Sequence, residues 1–194
     1  MNVYDFDKTL YPKESTLEFY LVSLLRHPSF LLDLPGGLWA YIRYRQGKIP
    51  TEALRERFFR SFCRLKHPER EAERFWQRRK GRLFSYYLAN RRPDDVVISA
   101  SPEFVLRPIA REAAFGTLIA SRYNLTTAKY DGLRCYGEEK PKRFRELFPD
   151  AHIEEFYSDS LSDTPMARLA DRAYLVDRRG NLTPWPADAL KPTT

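Results

Sequence analysis

Four short segments carry side chains that could do chemistry together. In Asp5-Phe-Asp7-Lys-Thr9 two carboxylates stand two residues apart at the end of an apolar run. Residues at that spacing share a side of an extended chain. Two neighbouring carboxylates do not both ionise cheaply, so one can keep a proton while the other stays charged, and a divalent cation beside Asp5 would keep that one ionised. The pair suits a carboxylate nucleophile, Asp5, next to a general acid and base, Asp7. Paired acids also occur in calcium loops and strand-end turns, and the motif alone supports either reading.

The second segment, Val96-Val-Ile-Ser99-Ala-Ser101-Pro, puts hydroxyls between a strand and a helix start, where free amides attract an anion. Ser99 is the phosphate ligand of this reading. Ser101 is the helix cap, with Pro102 at the first helical position. Lys140, in Gly137-Glu-Glu-Lys-Pro, stands at a helix start, where the macrodipole disfavours a cation. A neighbouring anion would explain it, although lone lysines are usually solvated. In Tyr157-Ser-Asp159-Ser-Leu-Ser-Asp163-Thr-Pro two acids follow a strand and enter a helix. Asp159 could complete a hard-oxygen magnesium site with Asp5 and a backbone carbonyl. Asp163 could cap a helix or anchor Lys140 by an ion pair, and a plain capping turn is the alternative.

The elements that must position these residues follow from periodicity. Asn2–Phe6, Val96–Ile98, Thr117–Ala120, Ile153–Tyr157 and Ala173–Val176 read as short buried strands, and Leu125–Tyr136 as a hairpin around Asp131-Gly132. Helices are expected over Ser101–Ala114, Glu139–Phe148 and Thr164–Ala170. From Ser15 to Leu88 only helices are read. One opens at Thr51, with Leu54, Phe58, Phe62 and Leu65 on one face; another opens at Pro68, with Ala72, Phe75 and Trp76 inward. Strands alternating with helices predict an α/β fold, a doubly wound and mainly parallel sheet, with an all-helical insert between its first two strands. The expected units are a core of residues 1–12 and 93–194 and a cap of residues 13–92. All four motifs then fall at carboxyl ends of strands, the usual ligand crevice of such sheets.

With the motifs in this order, the chain from Asn2 to about Trp185 resembles the haloacid dehalogenase superfamily, in its phosphoserine-phosphatase-like branch with a C1-type helical cap. The resemblance implies a Rossmann-like core and a magnesium-dependent phosphatase that hydrolyses a small phosphomonoester through an aspartyl-phosphate. It makes Asp5 the nucleophile and Asp7 the acid and base, the latter also binding Mg2+ through its carbonyl. Asp5 and Asp159 are the other metal ligands, and Asp163 supports the metal shell or Lys140. Thr9, Ser99 and Lys140 serve the phosphate, Thr9 by supporting the turn. Dehalogenases of the superfamily lack the second acid, so Asp7 favours phosphate chemistry. Lys8 stands where relatives often have a small residue. Ser99-Ala-Ser replaces the Ser-Gly-Gly of phosphoserine-specific enzymes, which weakens that specificity. Glu14 and Arg57 are the candidate specificity residues in the cap. A phosphotransferase or a phospholipid head-group phosphatase is the alternative, and a nucleic-acid-binding module with a vestigial site is a remote one.

Composition bounds these readings. Cys63 and Cys135 have no ligand spacing around them, which points away from zinc and disulfides and toward a reducing, cytoplasmic setting. From Lys13 to Arg92 there are 18 Lys and Arg against 8 Asp and Glu, so the insert is basic and could attract anions. It lacks the signatures of the common nucleic-acid-binding modules. Leu21–Ile42 is unusually apolar, but Arg26, Asp33 and two prolines interrupt it. Cap-core helices are expected there, and contact with a membrane surface is the lesser reading.

Overall fold

Val3 and Tyr4 are both apolar because the strand they form is covered on both faces. The computed structural model, which describes residues 1–191, places this strand, β1 (Asn2–Tyr4), inside a six-stranded sheet. Its neighbours are β2 (Val96–Pro102), β3 (Thr117–Ser121), β6 (Ile153–Ser158), β7 (Ala170–Val176) and β8 (Leu182–Pro184), in the order β3-β2-β1-β6-β7-β8. All pair in parallel except β8, an antiparallel edge strand that the sequence reading did not contain. The expected α/β class is the one found. On one face Val3 packs in a cluster with Ile98 and Phe156 under α7 (Glu139–Leu147), α8 (Thr164–Ala167) and α9 (Ala187–Leu190). On the other, Tyr4 stacks on Tyr157 with ring centroids 4.7 Å apart.

That second face is covered by α6 (Glu103–Glu112) and by the insert, α1 (Ser15–Arg26), α2 (Leu34–Arg45), α3 (Thr51–Phe59), α4 (Pro68–Gln77) and α5 (Ser85–Asn90). The insert has no separate core. Phe19, Phe62, Phe75 and Trp76 belong to one cluster with Tyr4, Val97 and Val105, and the Trp76 indole donates to the Val105 carbonyl at 2.6 Å. Ala72, Phe75 and Trp76 face inward on α4, as their spacing predicts. The helix at Thr51 differs: α3 ends at Phe59 and tightens into a 3-10 turn over Arg60–Arg64. Three residues per turn bring Phe59 into the core with Phe62 and Leu65, while Phe58 packs against its edge on Tyr20 and Leu54 is left only half-buried.

The hairpin also lies earlier than expected, as β4 (Tyr123–Asn124) and β5 (Lys129–Tyr130). The Asn124 side chain accepts the amides of Thr126 and Thr127 and Ala128 takes φ +58°, so the turn forms there and not at Asp131-Gly132. Among the described residues no helix is long and apolar enough to cross a membrane.

Candidate active site

The carboxyl ends of β1, β2 and β6 meet at a cavity of about 270 Å³. Here the chain leaves β1 for one side of the sheet and enters β6 on the other, the switch point where such sheets bind ligands. Asp5, Asp7, Ser99, Lys140, Asp159 and Asp163 all line it.

Its floor is a buried charge cluster. Lys140, on α7, is 2% exposed, and its ammonium donates to Asp5 Oδ1 and Asp163 Oδ2, each at 2.6 Å. Ser158 donates to the same Asp163 oxygen at 2.7 Å. Burial works against the ammonium, but Asp5 and Asp163 outweigh it and hold the lysine pKa above its ordinary value. For Asp5 burial wins: it pushes the carboxyl up to about 7, against the pull of Lys140 and with the help of Asp163.

Thr9 lies beneath this floor. It is fully buried, accepts the Asp159 amide at 2.9 Å and donates to Asp5 Oδ2 at 3.4 Å. It does not line the cavity, so it serves the phosphate site only indirectly, as a brace joining two strand ends.

Asp7 is held from two directions. The Ser15 amide, at the first turn of α1, donates to Oδ1 at 2.7 Å, and the Ser101 hydroxyl donates to Oδ2. Thr16 in turn donates to the Ser101 hydroxyl at 2.8 Å. Burial pushes the Asp7 carboxyl up to about 6, opposed by Ser101 and Ser15. Ser101 is thus not the expected helix cap. β2 runs on through an irregularity between Ser99 and Pro102, α6 begins only at Glu103, and the desolvated Asp7 captures the hydroxyl. Ser99 Oγ accepts the Ser101 amide at 3.1 Å, which leaves its own proton free to point into the cavity.

Lys8 takes φ +62°, a left-handed conformation that favours glycine and costs a larger residue about 1–3 kcal/mol. A small residue is the natural occupant of such a turn. Lys8 instead pairs with Glu14 at 2.5 Å, so Glu14 already has a cation. Arg57 does not reach the cavity; its guanidinium lies against Gly36 of α2, where a side chain would overlap it. Two arginines not singled out from the sequence, Arg55 on α3 and Arg134 on the loop after β5, line the wall instead.

The donor set fits magnesium. The Asp159 carboxylate and the Asp7 carbonyl accept no hydrogen bond among the described residues, and Asp163 Oδ1 is buried without a partner. Burial first, and Asp163 with it, raises the Asp159 pKa, with Lys8 opposing. No three His, Cys, Asp or Glu side chains form a metal cluster among the described residues. Two carboxylates and a carbonyl require none. Of the five carboxylates that line the cavity, Glu14 pairs with Lys8, and Asp5 and Asp163 share Lys140, while Asp159 has no ion pair among the described residues; a hard cation with oxygen ligands would offset its charge.

A family model of the haloacid dehalogenase-like hydrolases matches residues 3–168. Protein CicA of Caulobacter vibrioides is 30% identical, over 90% of this chain and 85% of that protein. A probable phosphatase of Mycobacterium tuberculosis is 35% identical over 48% of this chain and 37% of its own length. A Bordetella pertussis protein of unknown function has a solved structure with a TM-score of 0.69 and 21% identity, over 89% of this chain and 87% of that one.

Proposed function

Because the chain belongs to the haloacid dehalogenase-like hydrolase family, we propose that it is a magnesium-dependent phosphatase acting on a small phosphomonoester. The observation that carries this reading is the buried Asp5–Lys140–Asp163 cluster with Asp7 beside it in the same cavity. The name of the Mycobacterium tuberculosis relative supports it.

Asp5 attacks phosphorus, forming an aspartyl-phosphate as the bond to the leaving oxygen breaks. The Lys140 ammonium has three hydrogens, of which Asp5 and Asp163 use two; the third is offered to the phosphoryl oxygens, as is the free proton of Ser99. Asp7, with its carboxyl pushed up to about 6, gives its proton to the leaving oxygen. It then takes a proton from the water that attacks phosphorus, and the Asp5 carboxylate is released. Thr9 keeps Asp5 and Asp159 in register. Asp5, Asp159 and the Asp7 carbonyl would hold magnesium, which when bound supplies positive charge beside the phosphoryl oxygens. Glu14, neutralised by Lys8, is a poor partner for a substrate ammonium. With Ser99-Ala-Ser, this turns the reading away from phosphoserine.

A phosphate-release screen over many phosphomonoesters tests the proposal. Release should fall at least about 100-fold on chelation and return with magnesium. Asp159→Asn should raise the magnesium needed for half-activity by roughly tenfold or more. Turnover that persists unchanged through chelation would overturn the metal-dependent reading.

A further inference from the structure

We propose that the cavity contains a second anion-binding subsite, formed by Arg55 and Arg134, which selects phosphomonoesters carrying a further carboxylate or phosphate group. The inference rests on the phosphatase reading of the same cavity. Both arginines line it, and the Nε of each is buried without a hydrogen-bond partner. The Arg134 side chain is 8% exposed, and its nearest acid, Glu52, is 3.6 Å from Nε. Its guanidinium lies 4.3 Å from the centre of the Tyr136 ring. Burial and the neighbouring charge of Arg55 together pull the Arg134 pKa below its ordinary value. Between them the two guanidiniums have one ion pair, Arg134 with Glu52, and no hydrogen bond among the described residues, so an anion lying between them would offset the remaining charge. The floor acids do not serve, because neither arginine forms an ion pair with Asp5, Asp7, Asp159 or Asp163 among the described residues. A planar fork of donors matches a carboxylate or phosphate.

The wall that carries the pair is braced. Glu56 of α3 accepts the Tyr130 amide at 3.0 Å, and Phe59 packs edge-on against Tyr123 at 5.8 Å. The hairpin therefore holds the loop of Arg134 against the helix of Arg55, and one substrate group would touch both insert and core.

Two matched pairs of esters test the subsite: phosphoglycolate against ethyl phosphate, and propane-1,3-diol bisphosphate against propyl phosphate. In each pair the member with the second anion should have a kcat/KM about tenfold or more higher, and the larger ratio identifies carboxylate or phosphate as the better fit. Arg134→Gln and Arg55→Gln should bring the ratio toward one through KM, and Arg134→Lys should restore part of it. A merely structural defect would lower both members of a pair alike. A ratio near one in the unaltered protein, with both esters still hydrolysed, would overturn the subsite and leave the phosphatase reading standing. No hydrolysis of any ester would overturn both.

A separate observation concerns the outer face of the insert, which we infer lies on an anionic lipid surface. Leu25, Leu31, Leu32, Leu38, Trp39 and Ile42 are all exposed, Leu25 by 86% and Leu32 by 70%. The one acid between Leu21 and Lys48, Asp33, is buried and bonded to Arg64 at 2.6 Å. Arg45 and Lys48 are exposed beside the patch, Arg26 is exposed but pairs with Glu71 at 3.9 Å, and Arg43 stacks on Trp39 at 4.8 Å. An apolar face with aromatic residues and a largely basic rim suits an interface of acyl chains and anionic headgroups. A second copy meeting this face would bring basic rim against basic rim. In about 0.1 M salt, sedimentation with phosphatidylglycerol vesicles should bind the protein about tenfold more than phosphatidylcholine vesicles do. The Leu32→Glu/Trp39→Glu double variant should lose that binding about tenfold. Absence of binding, or a dimer in light scattering that the double variant dissolves, would overturn the inference.

Discussion

Asp5→Asn should lower phosphate release by roughly 10³–10⁶-fold, the range seen when a nucleophile acting within a catalytic set is removed. The amide matches the carboxylate in shape and can still accept from Lys140, but it is not a nucleophile. The substitution also removes a charge that burial opposes, so the protein should stay folded, with stability within about 1 kcal/mol of the unaltered chain. Loss of turnover at an unchanged melting temperature thus separates chemistry from folding. In acid-quenched single turnovers with radiolabelled ester, the unaltered protein should retain covalent phosphate and the variant none. Label on the variant, or turnover close to that of the unaltered protein, would remove Asp5 from its assigned role.

Lys140→Met acts on stability as well as on turnover. Removing the ammonium leaves Asp5 and Asp163, formerly joined through it at 2.6 Å each, as buried carboxylates without their shared cation. Breaking one partner of a buried ion pair costs about 3–5 kcal/mol. The expected result is a loss of that size in urea unfolding at about pH 7.5, with phosphate release abolished. The loss has a definite pH dependence. Asp5 has a carboxyl already pushed up to about 7, so the folded form holds its proton more tightly than the unfolded chain does. Such a group favours folding below its unfolded pKa, and this contribution is lost as the pH rises through the folded pKa. Without Lys140 the carboxyl rises further, so the deficit of the variant should shrink at about pH 5. A variant as stable as the unaltered protein at both pH values would mean that the cluster is not held by its charges.

Much of the architecture was legible because it rests on local signals. Short apolar runs ending in polar turns located the five parallel strands, and the spacing of Ala72, Phe75 and Trp76 gave the buried face of α4. Asp5, Asp7, Ser99, Asp159 and Asp163 could be singled out because each stands where a strand gives way to a turn or helix, and Lys140 because it opens a helix; the fold brings all six to one cavity. Ser101 was assigned to the wrong partner because sequence marks a hydroxyl near a site but not the direction in which it points, and this one is claimed by Asp7. The break in α3 was hidden because residues three apart lie on one face of either helix type. Arg55 and Arg134 come from segments far apart in the chain and meet through the packing of α3 on the hairpin. The exposure of Leu25 and Leu32 was likewise hidden, since an apolar residue carries no mark of whether anything covers it.

The row of hydroxyls behind Asp7 has a direction. While the acid is ionised, Thr16 donates to Ser101 and Ser101 donates to Asp7. Once Asp7 carries a proton on that oxygen, Ser101 must turn its own hydrogen away; its two lone pairs can accept from Asp7 and Thr16 together, and Ser15 Oγ, 3.4 Å away, is placed to take the hydrogen. Thr16 belongs to the first helix of the insert and Ser101 to the second strand of the sheet. Each catalytic cycle would therefore swing one hydrogen from Asp7 to the first helix of the insert and back, across the contact between insert and sheet.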